Sequence, residues 1–177
     1  MGIQIGAKPD CGFDDPIGML KDCHRRVERF LRILCILPTR ARGRALDIEE
    51  ADAVKAALHY FRTSGIRHTA DEEESLFPRL HAESLSGISE ALDRLQGDHS
   101  TANQLHAIVD SLYNGWLAQG SLQPVDQLRF KTTTAEMEHL YKEHIQVEET
   151  IVFPRAVELL NCETIAAMGL ELSIRRK

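Results

Sequence analysis

Residues 88–116 read ISEALDRLQGDHSTANQLHAIVDSLYNGW. Apolar side chains return at Ile88, Leu92, Leu95, Ala102, Val109, Tyr113 and Trp116, and His99 and His106 fill the gaps, so every step is three or four residues. That period is one face of an α-helix, and it makes the stretch a long core-facing helix with two imidazoles in its buried stripe. The same reading extends outward. Upstream, Asp15-Pro16 is an N-cap acid followed by proline at the first helical position, and the stripe Ile17, Leu20, Val27, Leu31, Leu34 holds His24 in phase. Pro38 predicts a stop near Leu37. A second helix is predicted from Asp47, with Glu50 completing a capping box, along Val54, Leu58, Phe61, Gly65, His68, Glu72 and Leu76. The Ser- and Gly-rich segment 81–87 breaks it. After Gly120–Pro124, a fourth stripe runs through Phe130, Met137, Tyr141, His144, Glu148 and Ile151, and a short tail helix is expected from about Glu163 to Arg175.

No segment alternates as a strand does. Four long helices with short connections predict an all-α, antiparallel up-down-up-down bundle with a short C-terminal helix. Residues 1–14 read as an irregular segment, 15–160 as the bundle and 161–177 as the tail. The chain has 177 residues, 43% of them hydrophobic and 27% charged, enough for one packed domain. Its net charge of −6 argues against a nucleic-acid partner, and no apolar run nears the ~20 residues of a membrane span. The N-terminal residues lack a signal-peptide pattern, and Gly6 stands where myristoylation needs Ser or Thr. Cys11, Cys23, Cys35 and Cys162 form no Cys-x-x-Cys pair, so reduced thiols and a cytoplasmic location are expected.

Polar side chains inside apolar stripes are costly unless partnered. His24, His68, Glu72, His99, His144 and Glu148 all hold core-facing phase. In an antiparallel bundle, residues at one level have their midpoint in the intervening turn. The midpoint of His24 and His68 is Leu46. That of His68 and His99 falls between Glu83 and Ser84, and that of His99 and His144 between Ser121 and Leu122. All three lie in the expected turns, so the four histidines share one level. The segment from His68 to Arg79 also repeats from His144 to Arg155, with His, Glu, Glu, Phe, Pro and Arg coinciding. A lone histidine precedes each copy, so two hairpins build a site with pseudo-twofold symmetry.

Four imidazoles and two carboxylates suit a pair of metal ions. His and Glu at i, i+4 are neighbours on one helix face, and a carboxylate can span two ions roughly 3.5–4 Å apart. Imidazole and carboxylate ligation without thiolate fits iron best, with manganese or zinc less favoured. Six protein ligands cannot fill two six-coordinate ions. An oxo or hydroxo bridge and open positions for a small molecule remain.

These two His-x3-Glu-Glu-x3-Phe-Pro motifs, each with a lone histidine ahead, resemble the hemerythrin-like family, the HHE cation-binding domain. The likeness covers roughly Asp15 to Arg155, and the tail Met168 to Arg176 resembles the family's basic ending. It implies a four-helix bundle with a non-haem di-iron centre, in which His24 and His99 match the lone ligands and His68/Glu72 and His144/Glu148 the paired ones. Oxygen-carrying hemerythrins have a further histidine where this chain has Asn103, and an Asp five residues after the last His where this chain has Glu148 at four. The chain thus resembles four-His, two-Glu members, with implied roles in oxygen or nitric-oxide response and iron–sulfur repair. It lacks the cysteine-bearing N-terminal domain of the repair members.

Around this set, His106 is in phase but one heptad, about 10 Å, below His99, which favours a place behind the ligands or in the core over ligation. Tyr141 reads either as packing or as a hydrogen-bond donor to a bound oxygen species. Glu73 and Glu149 either orient histidines or, rotated ~100° from the ligands, face water. His59, His81 and His139 are out of phase and expected at the surface; Cys23 is assigned no role. Three functions stay open. The first is a protein that binds or senses O2 or NO. The second is an enzyme reducing peroxide or NO, or releasing iron for repair. The third is an iron sensor or store. With no signalling domain in the chain, output is expected to pass through a separate protein partner.

Overall fold

The computed structural model describes residues 10–83 and 88–177. Part of the irregular segment expected over 1–14 and part of the connection expected over 81–87 therefore lie outside the described residues. Asp15 opens α1 (Pro16–Ala41) by accepting the Gly18 amide at 2.9 Å. The expected stop near Leu37 is corrected, because α1 runs through Pro38 to Ala41. Proline at 38 deprives the Leu34 carbonyl of its helical donor. The Tyr113 hydroxyl, from another helix, donates to that oxygen at 2.8 Å, so the helix continues. Arg42, at φ 49° in the left-handed region, ends it.

The second rod, α2, spans residues 48–82. Its α-helical pieces Ile48–Tyr60, Ile66–Ala70 and Phe77–Ala82 are joined by π-helical turns Phe61–Gly65 and Asp71–Leu76. Its start has the expected capping box: the Glu50 amide donates to Asp47 at 2.8 Å, and the Asp47 amide donates to Glu50 at 3.1 Å. Then come α3 (Ile88–Gln119) and α4 (124–159), the latter made of Pro124–Val147, a π turn Glu148–Val152 and Phe153–Leu159. The tail helix α5 is Cys162–Ile174. At one end of the bundle the two connections meet, where the Leu122 amide donates to the Gly43 carbonyl at 2.9 Å. The fold is all-helical, as the periodicity predicts.

The π turn in α4 corrects one assignment. Ile151, placed in the buried stripe by a uniform 3.6-residue period, is 45% exposed, while Val152 is fully buried. A π turn holds an extra residue, which rotates everything beyond it by one position.

The core divides into two apolar clusters. One packs Trp116, Tyr113, Phe130, Met137 and Val54. The other packs Phe77, Phe153, Leu76, Leu92, Leu95 and Ile17, and α5 closes it with Met168 and Leu172. Ions also hold α5: Arg79 reaches Glu171 at 2.7 Å, Arg175 reaches Asp71 at 3.0 Å, and Arg176 reaches the same carboxylate at 2.5 Å. Asp71 is fully buried in the π turn beside Glu72. No described helix is long and apolar enough to cross a membrane.

Candidate metal centre

Between the two apolar clusters lies a polar layer. His24 from α1, His68 and Glu72 from α2, His99 from α3, and His144 and Glu148 from α4 are all buried there. Two groups form, His24–His68–Glu72–Glu148 and Glu72–His99–His144–Glu148, each with its ligand atoms within 4.8 Å of one another. Both carboxylates belong to both groups. Glu72 turns Oε1 toward His68 Nε2 at 3.2 Å and Oε2 toward His99 Nε2 at 3.3 Å. Glu148 Oε2 lies 2.9 Å from His24 Nε2 and 3.4 Å from His144 Nε2.

These close approaches are not hydrogen bonds. Both oxygens of Glu72, both of Glu148 and Nε2 of His24 are buried without a partner of hydrogen-bond geometry. Orphaned buried acceptors are expensive. Lone pairs that converge on shared points, rather than on each other's protons, are what cations require, and the residues fit a pair of them. With no ion between them the charges interact directly. Burial pushes His24 down, but Glu148 and Glu72 outweigh it and raise its pKa to about 11. Burial likewise opposes His99, while Glu72 and Glu73 raise it to about 9. Burial would raise Glu72, but His68, His24 and His99 hold it well below the usual carboxylate range.

Behind the six stands a second ring. Glu149 Oε1 lies 3.0 Å from His24 Nδ1, and Glu73 Oε1 lies 2.8 Å from His99 Nδ1. Each of these glutamates touches a histidine ring, and Glu149 is also 44% exposed, so the contact and the solvent-facing position coexist. A carboxylate on Nδ1 fixes the tautomer that leaves Nε2 unprotonated for a metal. Asp98 Oδ2 lies 3.5 Å from His144 Nδ1, on the same side of its ring, but without hydrogen-bond geometry. Sequence reading passed over Asp98 because it is one residue out of stripe phase; its adjacency to His99 was the available signal. Cys23 holds the matching place before His24. Assigned no role from the sequence, it is buried and its thiol sits beside the His68 ring, although His68 Nδ1 has no hydrogen bond of full geometry. Phe153 stacks on His24 and Phe77 on His99, which shows why both motifs carry that residue.

His106 is outside the cluster. Its Nε2 pairs with the Tyr141 hydroxyl at 2.7 Å, and its ring packs on Phe61. Both line a cavity of about 420 Å³ that also touches His24, His68, His99 and His144. Asn103 lies at its exposed rim. His59 and His139 are exposed and His81 half-buried, all away from the centre.

Residues 15–156 match the family model described as the hemerythrin HHE cation binding domain. The chain belongs to that family. It is also similar to an uncharacterised protein of Haemophilus influenzae (strain ATCC 51907 / DSM 11121 / KW20 / Rd), 28% identical over 172 residues that cover 93% of this chain and 92% of the relative. For a hemerythrin HHE domain, a buried His/Glu layer suited to cations is the expected centre.

Proposed function

We propose that this hemerythrin-like protein is a non-haem di-iron protein that binds or senses a small oxygen species or nitric oxide. One observation supports it above the others: two ligand groups share Glu72 and Glu148, and their four histidines face a common cavity. In this reading His24 and His68 would hold one ion and His99 and His144 the other, with Glu72 and Glu148 within reach of both. Six protein ligands leave room for a bridging oxygen and for an exogenous molecule. Bound there, an iron pair supplies affinity for O2, NO or peroxide and the capacity to exchange electrons with them.

The chain's own groups do the rest. Glu149 and Glu73 hold the Nδ1 protons of His24 and His99 and keep the Nε2 lone pairs pointed inward. Phe77 and Phe153 cover two imidazoles and exclude water from that side. A second reading, an enzyme that reduces peroxide or NO, draws support from the Tyr141–His106 pair, a phenol hydrogen-bonded to an imidazole on the cavity wall. Cys23, Cys35 and Cys162 carry free thiols, which suits a reducing compartment and supports a cytoplasmic location in this reading.

The test is iron content and the optical spectrum of the loaded protein, before and after exposure to O2 and NO. Two iron atoms per chain and a spectrum that changes with either gas are expected. One ion per chain under saturating iron would reject the paired centre, and turnover of peroxide or NO would favour the enzyme.

A further inference from the structure

The register that places His24 on His99 places Cys23 on Asp98, and the register that places His68 on His144 places Glu73 on Glu149. The groups behind the four histidines obey the same symmetry. In each half a glutamate reaches the lone histidine of another helix: Glu149 lies 3.0 Å from His24 Nδ1, and Glu73 lies 2.8 Å from His99 Nδ1. In each half the residue before the lone histidine faces the paired histidine. Asp98 does so from α3, with Oδ2 3.5 Å from His144 Nδ1. Cys23 does so from α1, with its sulfur beside the His68 ring. Position is symmetric and chemistry is not. Three imidazoles face a carboxylate and the fourth faces sulfur.

Cys23 is fixed in its place. Its side chain is 4% exposed, Arg26 Nη2 donates to its sulfur at 3.1 Å, and the Tyr60 hydroxyl donates to its carbonyl at 3.3 Å. His68 is itself buried, and its Nδ1 has no other hydrogen-bond partner among the described residues. The other half also carries a guanidinium, since Arg94 Nε stands 3.9 Å from Asp98 Oδ2. The contrast therefore reduces to sulfur against carboxylate. A carboxylate behind an imidazole makes the metal-facing nitrogen a stronger donor, and sulfur, a weak acceptor, does so less.

We propose that Cys23 is a positioning residue for His68, and that its sulfur makes the His24–His68 position the weaker of two cation positions, filled second and emptied first. This rests on the metal reading of the centre.

The experiment titrates the metal-free full chain with ferrous iron, without oxygen and against a chelator of known affinity, and reads the two binding steps separately. Two cations that share Glu72 and Glu148 repel, so the steps separate whatever stands behind the histidines. Substitutions isolate the part owed to Cys23. Cys23→Ala should weaken the second step 10- to 100-fold and leave the first unchanged. Cys23→Asp, which copies Asp98, should tighten the second step and narrow the gap by a similar factor. Asp98→Cys should narrow it from the other direction, by weakening the first step. A role in packing alone would move both steps together with the melting temperature, and Cys23→Asp would then weaken binding. Cys23→Ala that moves neither step, or both equally, would overturn the proposal and spare the centre. So would an unaltered gap in Asp98→Cys, which decides the matter should Cys23→Asp fail to fold. Wild-type protein that takes up one ion or none under saturating iron would reject the centre itself.

Discussion

Glu149 and Glu73 bind nothing at the centre, yet each decides which nitrogen of a histidine is free to bind. Glu149→Leu should therefore weaken metal binding 10- to 100-fold while the helices stay intact, as read by competition with a chelator and by circular dichroism. Unchanged affinity would mean the 3.0 Å contact with His24 is incidental. His106 allows a prediction of another kind. Burial lowers its pKa to about 4, and Asp110 offsets only part of this. The unfolded imidazole protonates near 6.5, so between those values the unfolded chain binds the extra proton. Stability from this residue is present above pH 6.5 and is lost as pH falls toward 4, by on the order of 3 kcal/mol. His106→Leu with Tyr141→Phe should flatten that acid slope in denaturant titrations, whereas an unaltered slope would refute a half-buried imidazole held neutral. At this scale the sequence revealed the six buried residues because each is polar at a phase reserved for apolar side chains. It hid Asp98 and Cys23, because a group that supports a neighbouring helix stands one position off the stripe and looks like surface.

Among the elements, α5 is a clamp as well as a cap. Arg175 and Arg176 both reach Asp71, a fully buried carboxylate next to Glu72. Removing both cations leaves a buried charge unpaired, a loss of about 3–5 kcal/mol in comparable cases. Arg175→Ala with Arg176→Ala should lower the melting temperature markedly and loosen metal retention through the Asp71–Leu76 turn. Adding Asp71→Asn should recover part of the stability, and no recovery would show that the arginines act elsewhere. The helices themselves were legible from period, N-caps and the Asp47–Glu50 box, all local signals. The run of α1 through Pro38 was not, because its compensation is the hydroxyl of Tyr113, remote in sequence. The π turns were hidden for a related reason: a uniform period cannot register an inserted residue, and Ile151 and Val152 exchanged places accordingly.

In the whole molecule, the polar layer lies between two apolar clusters and joins both hairpins, so metal and fold are coupled. Without ions, His24 and His99 have pKa values of about 11 and 9 and are protonated at neutral pH. Metal uptake at pH 7 should release protons, measurable by calorimetry in buffers of different ionisation heat; release of none would contradict the paired charges. Because those folded values exceed the unfolded ones, the pairs stabilise the metal-free protein fully below about pH 6.5, and that contribution is lost as pH rises through 9 and then 11. The melting-temperature advantage of the loaded form should thus widen from pH 6 to 9, and equal melting of the two forms would place the ions outside the core. The clamp also sets an order in time. All six buried residues lie upstream of Arg175 and Arg176, so during synthesis they leave the ribosome first. A chain that stops short of Arg175 and Arg176 therefore holds every residue of the polar layer while Asp71 still lacks its cations.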